Sequence, residues 1–289
     1  MKKLLAMAVT AAFTVSMLAG CGQSAETTDA SAQETETEAA DEETAGTADA
    51  ASEDTAERTT FTVGFDAEFP PYGYMDESGE YTGFDLELAQ EVCDRNGWEL
   101  VKQPIDWDSK DMELSSGAID CIWNGFTMNG REDAYTFSVP YVDNSQVFVV
   151  AADSGITVFD DLAGKNVGVQ KDSSALAALE GDAAELAATF GNLTQYSDYN
   201  TAFMDLEQGA IDALAIDVGV ADYQIASRGE GFVKLSENLA SEQYGIGFKL
   251  GNVELKDQVE KTLLEMADDG TFGKIAEKYG LSDSVCLGK

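Results

Sequence analysis

Histidine is absent from all 289 residues, so the commonest general base and the commonest transition-metal ligand are both missing. That absence disfavours most hydrolytic chemistry. Basic residues are scarce: 17 Lys and Arg stand against 54 Asp and Glu, a formal charge of -37 with a pI near 4.1. Phosphate partners need clustered Lys and Arg, so this composition excludes nucleic acid as a ligand and gives anionic lipid no electrostatic hold. Cysteine is sparse too. Beyond Cys21 there are Cys93, Cys121 and Cys286, an odd number that cannot all pair. Cys93 falls on an expected helix and Cys121 on a neighbouring expected strand. All three read as thiols, and a Cys93–Cys121 disulfide is the alternative whose geometry sequence does not carry. The one long apolar run near the start, residues 4–18, is too short for a comfortable membrane span.

What the first residues do contain is an address. Lys2 and Lys3 form a positive segment, residues 4–18 an apolar one, and Ala19 and Gly20 precede Cys21. The ending Leu18-Ala-Gly-Cys21 resembles the bacterial lipobox, which implies cleavage before Cys21, lipidation of that cysteine, and a mature chain tethered outside the cytoplasm. Residues 22–57 then hold twelve acidic side chains, no basic one and no aliphatic or aromatic residue larger than Ala. Such a stretch cannot bury enough apolar surface to offset its ordering entropy, so it reads as a disordered, self-repelling linker.

Folded structure is expected from residue 58 onward, with length for one large or two medium α/β domains. The organising stretch is residues 117–131, where Gly-Ala-Ile-Asp opens an apolar strand that runs into Asn124, Gly125, Thr127 and Arg131. Gly-Ala-Ile-Asp returns at residues 209–212, again after a helical pattern, and again leads an apolar strand to a polar end, Asp217. Two copies imply two lobes. Ligands bind beyond the carboxyl ends of strands in open α/β sheets, so a shared site would draw residues 124–131 from one lobe and Asp217 from the other.

The remaining pattern fills in the lobes. Residues 59–65 alternate as a strand and end at Asp66, where two prolines break the pattern. Asp85 is placed to cap a helix carrying Leu86, Leu88, Ala89 and Val92 on one side. Residues 98–105 read as a strand, and Trp107 sits at its mouth before a helix closing at Gly117. Residues 146–152 read as a strand crossing between lobes and residues 244–248 as the return, with the hinge itself expected near residues 144–146 and 241–244. Ser173 or Ser174 is placed to cap a helix from about residue 175, leaving backbone N–H groups and a hydroxyl to face a carboxylate. Helices near 252–269 and 271–279 should pack back on the first lobe. This gives an α/β architecture of two open sheets joined by a two-strand hinge, with residues 58–147 and 242–289 in lobe 1 and residues 148–241 in lobe 2.

Gly-Phe-Asp at Gly83, Phe-Ser-Val-Pro-Tyr at Phe137, Leu-Ala-Gly-Lys-Asn-Val-Gly-Val from Leu162 and Asp-Gly-Thr-Phe-Gly-Lys-Ile-Ala-Glu-Lys-Tyr from Asp269 occur in an order that resembles the polar amino-acid-binding proteins of bacterial ABC importers. The resemblance spans the chain after residue 58 and implies the two-lobed, type II periplasmic-binding-protein-like fold, no catalysis and no cofactor or metal. It implies a free L-amino acid as ligand, an ABC transporter permease as partner, and a monomer at the cell surface, lipid-anchored to the outer face of the cytoplasmic membrane as in Gram-positive bacteria. Carried over by motif, Arg131 would hold the α-carboxylate and Asp217 the α-ammonium. Asp66 and Phe69 would lie beside the ligand, Trp107 against its side chain, and Asn124, Gly125, Thr127, Ser173 and Ser174 around its backbone groups. One departure is the turn between Thr127 and Arg131, a residue shorter than usual, so the arginine's reach depends on how that loop closes.

Two other classes fit the same fold. A sensor domain would carry a membrane helix or signalling domain, and none follows before Lys289. An enzyme such as a cyclohexadienyl dehydratase would have to work without histidine, and an Arg131–Asp217 pair suits a zwitterion better than a dicarboxylate. Asp66 at the side-chain end favours a polar, non-acidic ligand, since it would repel the carboxylate of Glu or Asp.

Overall fold

A computed structural model describes residues 58–288. The signal segment with Cys21 and the acidic stretch of residues 22–57 lie outside the described residues. Two large open sheets and a small antiparallel one of strands Glu68–Phe69, Gly73–Met75 and Tyr81–Thr82 carry the rest. In the first, strand Thr60–Phe65 pairs in parallel with Glu99–Pro104 on one side and Cys121–Ile122 on the other, and Gly247–Lys249 and Tyr135–Phe137 extend the sheet antiparallel. In the second, Asn192–Tyr196, Asn166–Gln170 and Ala213–Asp217 are parallel, followed by Val142–Ala151 and Phe232–Lys234 antiparallel.

The repeated Gly-Ala-Ile-Asp builds the same corner twice. Gly117 and Gly209 take positive φ (80° and 70°) where a helix ends, a conformation that glycine adopts without a Cβ clash. Ile119 and Ile211 then press onto glycines of the adjoining strand: a Cβ at Gly64 would lie 2.4 Å from Ile119 and one at Gly168 2.6 Å from Ile211. Asp120 accepts the Thr62 N–H at 2.7 Å, and Asp212 the Asn166 N–H at 2.8 Å. Each copy thus fixes where a helix stops and how the next strand is aligned. The chemistry-bearing residues come immediately after.

Two strands link the sheets. Val142–Ala151 is ten residues long; its first half pairs antiparallel with Ala240–Tyr244, setting Asn144 opposite Glu242 and Val142 opposite Tyr244, while its second half lies in the second sheet. The reading of residues 244–248 as the return crossing needs correction. The crossing is Ala240–Tyr244, and Gly247–Lys249 already belongs to the first sheet. Between them the ladder breaks because Gly245 donates to the Phe126 carbonyl and Ile246 to the Ser138 hydroxyl.

Helix Phe84–Asn96 buries Phe84, Leu86, Leu88, Ala89, Val92 and Cys93 against the first sheet and ends at Gly97 in the left-handed conformation. Helices Val253–Asp268 and Thr271–Lys278 pack on it as expected, with Phe272 edge-on to Phe84 and Asn96 donating to Thr262. Asp85 is not the cap of this helix. Gly83 holds that position with its backbone pressed to the Tyr72 carbonyl, and Asp85 turns inward to accept the Gly125 N–H at 2.6 Å and the Tyr141 hydroxyl at 2.9 Å. Cys93 and Cys121 are both buried thiols, with no disulfide between them. Among the described residues no helix is long and apolar enough to cross a membrane.

Candidate functional site

The carboxyl ends of the parallel strands of both sheets converge on one cleft. Phe69, Trp107, Gly125, Thr127 and Arg131 line it from the first lobe, and Gln170, Ser173, Ser174 and Asp217 from the second. Of the residues expected at the site, all but Asp66 and Asn124 face this space. Gly125 has φ +56°, and a Cβ there would lie 2.8 Å from Phe69 and 3.0 Å from Tyr244, so the backbone approaches the aromatic wall as only glycine permits. That wall continues through Tyr199, whose ring centroid is 5.9 Å from that of Phe69, and Tyr72, 5.3 Å from Tyr244.

Asp217 marks one pole. It is 4% exposed, and its Oδ1 accepts from Asn144 (2.8 Å), Gln146 (2.7 Å) and the Tyr244 hydroxyl (2.5 Å). Burial, reinforced by the charge of nearby Glu242, pushes its carboxyl up to about 7, against the pull of those donors. A buried carboxylate with only neutral partners favours a cation beside it.

Arg131 marks the other. Met128 donates to Gln243 O and Arg131 N–H to Met128 O, so the short loop closes as a tight turn through Gly130. The half-buried guanidinium stacks 5.0 Å from the Phe126 ring centroid and donates to the carbonyls of Thr127 (3.0 Å) and Asp172 (3.4 Å). It makes no ion pair among the described residues, so none of their carboxylates neutralises its charge. Ser173 is occupied as a helix cap, accepting from Leu176 N–H and donating to Gln170 O. Its hydroxyl is therefore committed to the fold, whereas that of Ser174 meets Thr127, Gln146 and Glu242.

Asp66 lies at the far end. Its Oδ2 accepts from Gln170 across the cleft at 2.7 Å and its Oδ1 from Glu68 N–H at 2.8 Å. Burial, with smaller contributions from the charges of Asp198 and Glu68, raises its carboxyl to about 6. It lines an adjoining cavity of about 410 Å³ together with Glu68, Asp106, Trp107, Glu113 and Asp198. Asn124 lies beneath the cleft, where its Oδ1 accepts the Asp66 N–H at 3.1 Å and holds that loop. Trp107 is buried edge-on to Phe126, and above its face sits Lys110, 2% exposed and ion-paired to Asp172 of the second lobe.

Gln170, Asn144, Gln146, Glu242 and Tyr244 were not among the residues expected at the site. One signal was present: Asn144 and Gln146 are uncharged polar residues two apart in the polar first half of a strand, which puts them on one face.

Sequence and structural comparisons agree with this architecture. The chain matches the model of bacterial extracellular solute-binding proteins, family 3, over residues 61–282. The L-cystine-binding protein TcyJ of Escherichia coli (strain K12) is 30% identical over 226 residues, covering 77% of this chain and 83% of that protein. An ABC uptake transporter substrate-binding protein from Streptococcus pneumoniae with bound histidine superposes with a TM-score of 0.75 at 34% identity, over 78% of this chain and 94% of that one. An ancestral arginine-binding protein bound to glutamine does so with a TM-score of 0.71 at 35% identity, over 78% and 99%. This chain belongs to the bacterial extracellular solute-binding proteins of family 3.

Proposed function

We propose that this substrate-binding protein captures a free, polar, non-acidic L-amino acid between its lobes and presents it to the permease of an ABC importer. The observation that carries the reading is an unneutralised guanidinium and a buried carboxylate facing one cleft from opposite lobes. Arg131 forks onto the α-carboxylate, and Asp217 supplies the counter-charge to the α-ammonium. A zwitterion taken from water needs both, because one buried charge left unpaired costs roughly 3–5 kcal/mol. Asp66 and the acidic cavity beyond it receive the side chain, which supports a neutral or cationic group and opposes a carboxylate. The relatives named above are cystine-, histidine-, glutamine- or arginine-bound or -binding proteins, in keeping with that choice. A thermal-shift screen of the twenty amino acids and cystine tests it: stabilisation by Glu or Asp alone rejects a non-acidic ligand.

Binding and closure are one event in this reading. Lobe 1 comprises residues 58–147 and 242–289, lobe 2 residues 148–241, and contacts that only the closed form makes bias the hinge toward it. Gln170 on Asp66, Lys110 on Asp172 and Asn200 on Glu68 are such contacts.

We further infer that Cys21 is lipidated, so that the mature monomer works at the outer face of the cytoplasmic membrane, as lipoproteins of Gram-positive bacteria do. Metabolic labelling with palmitate checks this. Label should enter the full chain and be lost in Cys21→Ala; equal labelling of both forms contradicts it.

A further inference from the structure

The hinge carries a second buried carboxylate that the clamp leaves without a task. Glu242, 7% exposed, lies on strand Ala240–Tyr244 directly opposite Asn144, and Gln146, two residues on, lies opposite Asp217. Strand period therefore sets Asn144 and Gln146 side by side between two acids. Asn144 Nδ2 donates to Asp217 at 2.8 Å and to Glu242 at 2.7 Å; Gln146 Nε2 donates to both at 2.7 Å. Both amides direct their N–H groups to the carboxylates, Gln146 to the Ser174 hydroxyl as well, and their own oxygens are buried without a hydrogen-bond partner among the described residues. Such oxygens are costly to leave unmet, so the cluster is arranged around a demand for positive charge that its neutral donors do not fill.

Among the described residues nothing packed around the pair supplies that charge. Tyr199 and Tyr244 face Asp217, with Tyr72 beyond, and burial raises all three phenols well above their ordinary value, so they stay neutral. Thr127 and Ser174 donate hydroxyls to Glu242. Arg131 lines the same opening as Glu242 but directs its guanidinium to the Thr127 and Asp172 carbonyls, and Lys110 is paired with Asp172.

We propose that Glu242 is a positioning residue of the ammonium subsite: it shares the Asn144 and Gln146 amides with Asp217 and so makes Asp217 hold a proton until the α-ammonium of the ligand displaces it. This rests on the clamp proposed above and adds proton release to it. The balance is simple. The ligand enters as R–NH3⁺ and remains so, Asp217 passes from carboxylic acid to carboxylate, and its proton goes to buffer. The raised carboxyl of Asp217, pushed up by burial and by the Glu242 charge, fits that role.

Isothermal titration with L-arginine and with L-glutamine, in buffers of different ionisation enthalpy, counts the protons. Close to one proton per ligand should be released at about pH 6 and about a tenth of that at pH 8, and affinity should fall roughly tenfold per pH unit below about 7. Glu242→Gln should move the midpoint down by about one pH unit or more, so that release at pH 6 drops to about half a proton per ligand or less. A merely structural role would weaken binding without moving the midpoint. Binding with no buffer dependence at pH 6 overturns the proposal with the wild-type protein alone, whether or not the variant folds. An unmoved midpoint in a folded Glu242→Gln overturns it too. Heat from neither probe, nor from any other amino acid, overturns the clamp and this inference together.

Discussion

Gly125 shows how closely a single position is specified. Its left-handed backbone and the Phe69 ring, 2.8 Å from where a Cβ would lie, each oppose a side chain, and the Asp85 carboxylate holds its amide in place. Gly209 shares the positive φ but has open space around it. Gly125→Ala should therefore cost more than Gly209→Ala, by about 1–3 kcal/mol for the overpacking, on top of a shared backbone strain of the same order. Urea unfolding of the two variants measures the difference, and equal losses contradict the packing argument. Residue types at the cleft were legible because polar groups stand at the ends of apolar strands. Asn124 shows the limit: sequence put it at the strand end, but not the rotation that turns it beneath the cleft to Asp66 N–H.

At the scale of elements, long periodic segments were readable and short ones were not. Helix Val253–Asp268 and strand Ala213–Asp217 carry their own pattern. The two-residue strands Glu68–Phe69 and Tyr81–Thr82, the helix Ala184–Ala187 and the half-exposed strand Asn192–Tyr196 have too few buried positions to show a period. The carboxylate cluster was invisible for another reason. Gln146 meets Asp217 across 71 residues and Asn144 meets Glu242 across 98, contacts set by strand register and not by local spacing. Where helix Val218–Arg228 begins, its Gly219 lies against Tyr72 of the other lobe, and a Cβ there would be 2.4 Å from the hydroxyl. Gly219→Ala should act as a wedge, weakening ligand binding about tenfold while the unliganded melting temperature stays within a few degrees. Unchanged affinity by titration calorimetry would show that this contact does not form on closure.

The whole molecule carries an excess of acid, a formal charge of -37, and among the described residues burial raises four carboxyls: Asp66 to about 6, Asp85 and Asp217 to about 7, and Glu68 above its ordinary value. A group whose folded value lies above its unfolded one binds more protons in the folded state, so stability falls as pH rises through that interval. The unliganded protein should melt several degrees higher at pH 5 than at pH 8, a direction that charge repulsion reinforces. A scan of melting temperature against pH checks it, and a rise toward pH 8 would contradict the burial of these groups. Ligand capture should run the other way, strongest where Asp217 is ionised. The central claim is that two lobes hold opposite ends of one zwitterion, and isothermal titration of Arg131→Ala and Asp217→Ala at pH 8 tests it most directly. Each variant should stay folded by circular dichroism and lose roughly 2–5 kcal/mol of binding, about thirtyfold to several-thousandfold in Kd. Either one binding the amino acid within threefold of the parent would contradict the clamp at that residue.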